Sequence, residues 1–199
     1  CLLVNNATIK ASRVDIDDRY MDIDIVCVDI INLFAPVRII VGYRSPGSDT
    51  DADAIIHTKK CIECLTSLCE VDASIVIVGD LNFPTINWSK LNFVVDNDRC
   101  STLFSMFVKQ FCFEQYVSEM TRDSPSCRSS LLDVVLCNDS FIVNVVAVNA
   151  PFSTSDHCSV NFNLTCQNQS VHLPAHEYRN FSDADWDGIT IVLNACDWA

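Results

Sequence analysis

Three apolar runs in this chain end in, or are broken by, residues able to do chemistry. The run ASIVIVGDLN, 73–82, delivers Asp80 and Asn82 from its polar end. A carboxylate followed two residues on by an amide can hold a hard divalent cation and a phosphate oxygen together. An Asx-turn gives the same D-x-N pattern, so the spacing alone leaves both readings open. Further on, Ser155-Asp156-His157 places a carboxylate beside an imidazole. An imidazole can exchange a proton near neutral pH or donate to a phosphoryl oxygen. A merely polar surface histidine would look the same. Asp133 interrupts the apolar run SSLLDVVL. A carboxylate placed there needs a partner, and a histidine N–H is a good one. An Asp133–His157 pair would set the imidazole tautomer. Tyr43 and Arg44, in VGYRSP, offer a phenol and a guanidinium, both able to contact phosphate.

These residues need strands to carry them. DIDIVCVDIINL, 22–33, alternates and then turns apolar, which predicts a strand. RIIVGYRSPGSD, 38–49, predicts a strand closed by a Pro/Gly turn. Residues 51–70 repeat apolar side chains at helical spacing through Ile55, Ile62, Leu65 and Cys69. The stretch 73–82 is continuously apolar, as a strand buried on both faces would be. A helix over 101–111, with Ser101 as a possible cap, and strands at 129–139, 142–149 and 159–164 complete the set. In the last strand Val160, Phe162 and Leu164 share one face. Strands outnumber helices but helices intervene, which predicts a layered α/β domain. The composition turns polar after 166, so 1–166 reads as the domain. Residues 167–199 read as a linker followed by the start of an amphipathic helix through Trp186, Ile189, Val192 and Leu193.

The 199 residues carry 26 acidic and 13 basic side chains, a net charge of −13. That excludes a generally basic nucleic-acid coat but not a local phosphate site. Six aspartates at 15, 17, 18, 22, 24 and 29 are expected as a solvated loop and strand face. Twelve cysteines form no zinc-finger array, since Cys61-x-x-Cys64 has no second pair at metal spacing. Most are expected as small buried hydrophobes in a reducing compartment. No apolar stretch is long enough to span a membrane, and no export or targeting signal is visible. The start inside an apolar stretch suggests a piece of a longer protein.

VGYRSP, GDLNFPTINW, TR…SSLLDVVLCND and STSDHCSVNFNL, in that order, resemble the endonuclease/exonuclease/phosphatase family. Within it they are most similar to the apurinic-endonuclease-like domain of non-LTR (LINE-type) retrotransposon polyproteins. The four motifs span residues 38–164. The resemblance implies a two-layer β-sandwich flanked by helices, here without its first strands. It implies Mg²⁺-dependent hydrolysis of a DNA phosphodiester, with Mn²⁺ as a substitute, leaving a 3′-hydroxyl that primes reverse transcription. Asp80 would orient or deprotonate the attacking water, and Asn82 would position the phosphate. Asp133 would hold His157, and His157 would bind or protonate a phosphoryl oxygen. Asp156 would serve the metal, with Asp80, or the leaving-group side, and Tyr43 would contact the scissile phosphate. Thr121 or Arg122 would lie in a loop facing DNA or phosphate, and Arg44 would be a further phosphate contact. The tail EYRNFSDADWDGITIVLNACDW is similar to the connector such polyproteins place before the reverse transcriptase. The implied state is a monomeric domain of a polyprotein working in the nucleus, meeting the element's RNA only through other domains.

The family's first strands supply an asparagine and a metal-binding glutamate. Residues 1–37 contain no glutamate, and CLLVNNATI is similar to a later strand of the family pattern. Impaired catalysis is therefore expected. The competing readings are a phosphomonoesterase or repair nuclease of the same fold, and a non-catalytic binding or scaffold module.

Overall fold

A computed structural model describes residues 9–31, 33, 35–46, 52–88, 98–124, 127–166 and 185–195. The chain divides into two compact units, 1–169 and 170–199. The expected strand at the N-terminus (residues 1–8), the linker over 167–180 and the first residues of the expected helix, 181–184, lie outside the described residues.

The first unit is a mixed α/β fold around a six-stranded, mostly antiparallel sheet. β1 (Ala11–Val14) pairs antiparallel with β2 (Asp24–Ile30), and β2 with β3 (Val37–Tyr43). Helix α1 (Ala52–Cys69) then crosses over, so that β4 (Ser74–Asp80) lies parallel to β3. A parallel neighbour requires such a crossover, since a tight hairpin can only reverse the chain. Helix α2 (Arg99–Gln110) and the two-residue β5 (Glu114–Gln115) follow. A hairpin of β6 (Arg122–Ser124) and β7 (Cys127–Ser130) leads into β8 (Asp133–Cys137). β8 inserts antiparallel between β4 and β5. A second hairpin, β9 (Val143–Pro151) with β10 (Cys158–Leu164), completes the unit.

Alternation along the strands builds two cores, one on each face of the sheet. On one face Ile40, Ile75, Ile77, Val134 and Leu136 pack with Cys64, Leu65 and Leu68 of α1 and Phe104, Phe107 and Val108 of α2. On the other, Val37, Ile39, Val76, Val78, Val135 and Cys137 pack with Val146 and Val148 of β9 and Val160, Phe162 and Leu164 of β10. Helices therefore cover one face and a β-hairpin covers the other. β4 contributes to both cores, which is why its sequence is continuously apolar.

The helix expected over 101–111 starts earlier. Asp98, not Ser101, is its N-cap, and its carboxylate accepts the Ser101 N–H at 2.9 Å. The acidic segment is only partly solvated. Asp29 lies opposite Arg38 on the neighbouring strand and accepts from its Nε and Nη2 at 2.7 and 2.8 Å. Asp22 pairs with Lys60. Cys27, Cys61, Cys64, Cys69, Cys100 and Cys137 are buried, as their apolar neighbours predict. Burial pushes the Cys61 and Cys69 thiols up to about 12, so they behave as hydrophobes and not as thiolates.

In the second unit, α3 (Trp186–Ala195) is the expected amphipathic helix. Asp185 caps it, accepting the Gly188 N–H at 2.9 Å. Among the described residues, no helix is long and apolar enough to cross a membrane.

Candidate active site

The site forms where the second core runs out of apolar side chains. Two residues past Val78 comes Asp80, and two before Val135 comes Asp133, both on the face covered by the β9–β10 hairpin. The β4–β8 register sets Asp80 directly opposite Asp133. Tyr43, four residues past Ile39 on β3, belongs to the same face and is 45% exposed. A sheet carrying two carboxylates side by side needs a compensating group, and β10 supplies it from the layer above. His157 stands immediately before that strand, and its Nδ1 lies 2.9 Å from Asp133 Oδ2. Its Nε2 lies 3.9 Å from Asp80 Oδ2. An ionised carboxylate only accepts, so the shared proton sits on Nδ1 and Nε2 is turned toward Asp80. Burial pushes the Asp80 carboxyl up, the charge of Asp133 adds to the shift, and His157 opposes it.

The loops are locked from behind. Gly79 has φ +135° and lies against β3, where a Cβ would come 1.9 Å from the Gly42 carbonyl oxygen. Only glycine lets β3 and β4 close so tightly next to Asp80. Asn82 takes a left-handed backbone, φ 49°, and its N–H donates to Asp80 Oδ1 at 3.2 Å. The D-x-N signal is therefore an Asx-turn as well as part of the site. Asn82 is 8% exposed, and its amide donates to the Arg44 carbonyl at 2.7 Å. Ser155 Oγ accepts the His157 N–H at 3.0 Å and shapes the turn that delivers the imidazole.

Two residues expected at the phosphate, Arg44 and Thr121, are buried. Arg44 is 2% exposed. Its Nη1 donates to the Asn82 carbonyl at 2.8 Å, its Nε to Thr58 Oγ1 at 3.2 Å, and its guanidinium stacks 4.4 Å over the Phe83 ring. Arg44 therefore braces the Asn82 loop. Thr121 is fully buried, and its hydroxyl accepts from the Leu132 and Asp133 backbone amides. Arg122 stays partly exposed but is paired, its Nε donating to Asp156 Oδ2 at 2.7 Å. That hydrogen bond holds the half-exposed Asp156 carboxyl below the usual carboxylate range. Asp156 thus faces Arg122, where a metal role beside Asp80 was expected.

The structure brings Asp80, Asn82, Asp133 and His157 together, with Tyr43 on the adjacent strand end. Sequence reasoning missed Gly79 as a structural requirement, although the chain spends one of its four glycines there. It also missed Thr58 and Phe83, whose link to Arg44 crosses tens of residues. The donors among the described residues do not fit a resident Mg²⁺. Among the described residues no group of three or more His, Cys, Asp or Glu side chains could hold a metal ion. Asp133 is engaged by His157, and Asp156 by Arg122.

A six-stranded sheet with helices on one face and a β-hairpin on the other is consistent with the expected endonuclease/exonuclease/phosphatase fold. Residues 37–161, more than half of the chain, match the family described as endonuclease-reverse transcriptase, and the chain belongs to that family. No curated protein sequence matches it significantly. Among solved structures it is similar to the endonuclease domain of TRAS1, a telomere-specific non-LTR retrotransposon. That match has TM-score 0.57 and 14% identity, over 83% of this chain and 71% of that one. The 3′ phosphatase NExo from Neisseria, bound to a product DNA hairpin, gives TM-score 0.57 and 13% identity, over 78% and 72%. An AP endonuclease from Archaeoglobus fulgidus gives 0.53 and 12%, over 77% and 71%. At these identities the likeness to the solved structures is one of fold.

Proposed function

We propose that the chain is the nicking domain of a non-LTR retroelement, hydrolysing a DNA phosphodiester with a low turnover. The observation that carries this reading is the Asp133–His157–Asp80 row, with one carboxylate on each imidazole nitrogen's side. Asp133 holds the Nδ1 proton and so fixes the ring plane. Nε2, once protonated, donates to a non-bridging phosphoryl oxygen and offsets the charge that builds there. Asp80, made more basic by burial and by Asp133, takes the proton of the attacking water. The water oxygen bonds to phosphorus, the bond to the 3′-oxygen breaks, and that oxygen takes a proton from solvent. Tyr43 stands exposed at the adjacent strand end, where its hydroxyl can reach a phosphate.

Low turnover is supported by the donor set, since two of the three site carboxylates are already paired. Divalent-cation chemistry belongs to the resemblance and would need ligands beyond those described. The net charge of −13 also weakens attraction to DNA. The reading is tested by product ends. An end-labelled duplex incubated with the full chain and Mg²⁺ should yield nicks that a polymerase extends directly. Nicks blocked by a 3′-phosphate would refute the assigned direction of cleavage.

A further inference from the structure

Thr121 was expected at the DNA, yet every polar group it owns is turned inward. It is fully buried at the start of the β6–β7 hairpin. Its N–H donates to the Ser130 carbonyl at 3.0 Å. Its hydroxyl oxygen accepts two backbone amides, Leu132 at 3.1 Å and Asp133 at 3.0 Å. Its carbonyl accepts the Cys158 N–H at 2.7 Å. One end of this set fixes the backbone that carries Asp133. The other fixes the residue after His157. The pair bridges two layers of the fold, since Asp133 opens β8 in the central sheet and His157 stands just before β10 in the hairpin. An isolated bridge between Arg122 and His157 continues the same junction.

We propose that Thr121 is a positioning residue that sets the Asp133–His157 distance by tying the two strands to one buried hydroxyl and carbonyl. The inference rests on the reading of that pair as the working pair. Both amides lie where the chain enters β8, so the hydroxyl holds the backbone from which the Asp133 side chain departs. The hydroxyl oxygen is the right group because it accepts from two amides at once, which an apolar side chain of the same shape cannot do. Threonine's branched Cβ also restricts the rotamer that aims the oxygen. The contact needs no substrate, so it shapes the free protein as well as the complex.

The test compares Thr121→Val, which keeps the shape and removes the acceptor, with Thr121→Ser, which keeps the oxygen. Two readouts are taken on the full chain. The first is the imidazole Nδ1 proton and nitrogen signals of His157 by NMR. The second is the split of kcat and KM on a nicked-duplex assay. Expected for Thr121→Val is loss or marked upfield movement of the Nδ1 proton signal. Also expected is a fall in kcat of about 10- to 100-fold with little change in KM, as for an ångström-scale misplacement. Thr121→Ser should restore both. An unchanged Nδ1 signal in Thr121→Val would overturn the proposal. So would a raised KM with unchanged kcat, which would return Thr121 to phosphate contact. If Thr121→Val does not fold, hydrogen exchange in the unaltered chain decides. Protected Leu132 and Asp133 amides that stay protected in Thr121→Ser support the proposal, and rapid exchange at both contradicts it. A protein with the shared Nδ1 proton but no nuclease activity would refute the functional reading and leave the NMR arm to judge Thr121.

Discussion

Replacing Gly79 by alanine tests whether the approach of β3 and β4 is what places Asp80. The added Cβ would sit 1.9 Å from the Gly42 carbonyl oxygen, with the Gly42 carbon at 3.0 Å and its nitrogen at 3.2 Å. An ordinary carbon–oxygen contact begins at about 3.3 Å, so the strands must part locally by about 1.4 Å (about 3.3 minus 1.9). Both neighbours are backbone, and no flexible side chain can swing away. The position's φ of +135° is also foreign to alanine, at a cost of about 1–3 kcal/mol. Parting the strands breaks the Arg44 N–H to Asp80 carbonyl bond, now 2.9 Å, for about 1 kcal/mol more. The sum is about 2–4 kcal/mol. At roughly 2–4 °C per kcal/mol for a chain of this size, the midpoint falls by about 10 °C. Thermal unfolding followed by circular dichroism reads this directly. Asp80 moves with the strand, so nicking should drop about a hundredfold as well. A variant that melts within about 2 °C of the parent would refute the close-approach argument.

Asp80→Asn should abolish nicking while leaving the protein as stable or more so at neutral pH. Because the folded carboxyl is shifted up, its stabilising contribution is fully present below the unfolded carboxylate range, near about 3.9, and is lost as pH rises through the folded value. The midpoint difference between variant and parent should therefore grow from acid to neutral pH, and a variant less stable at neutral pH would contradict the assignment. Arg44→Lys should lose about 2–3 kcal/mol in denaturant unfolding, since an ammonium cannot reach Thr58 and Asn82 and also stack on Phe83. Asp133→Asn should lower kcat about 10²–10⁴-fold by releasing the Nδ1 proton, and equal kcat in the two proteins would refute the pair's role.

What the sequence made legible follows from how local each signal is. β4 was readable because a strand in both cores must be apolar throughout, and its polar end then stands out as Asp80. β10 was readable because one face packs and the other does not. β1, β5 and the β6–β7 hairpin were not, because ASRV, EQ, RDS and CRSS have neither alternation nor length. Their pairing comes from the neighbours, not from their own propensity. Asp133 and His157 were foreseeable as a pair because a carboxylate in an apolar run needs a donor. The burial of Arg44 and Thr121 was not legible for the opposite reason. A guanidinium or hydroxyl beside a phosphate-site motif looks like a ligand contact. Only the fold shows that Phe83, Thr58 and the amides of Leu132 and Asp133 have already taken it.

The central claim is that the row Asp133, His157 and Asp80 cleaves phosphodiesters slowly. Its most direct test is conversion of supercoiled plasmid to open circle by the purified chain with Mg²⁺, beside His157→Ala and Asp80→Asn. Turnover below the roughly 1 s⁻¹ at which ordinary enzymes begin is expected, with no conversion by either variant. Conversion that survives both substitutions would contradict the site, and turnover well inside the ordinary range would contradict the low activity inferred from the paired carboxylates.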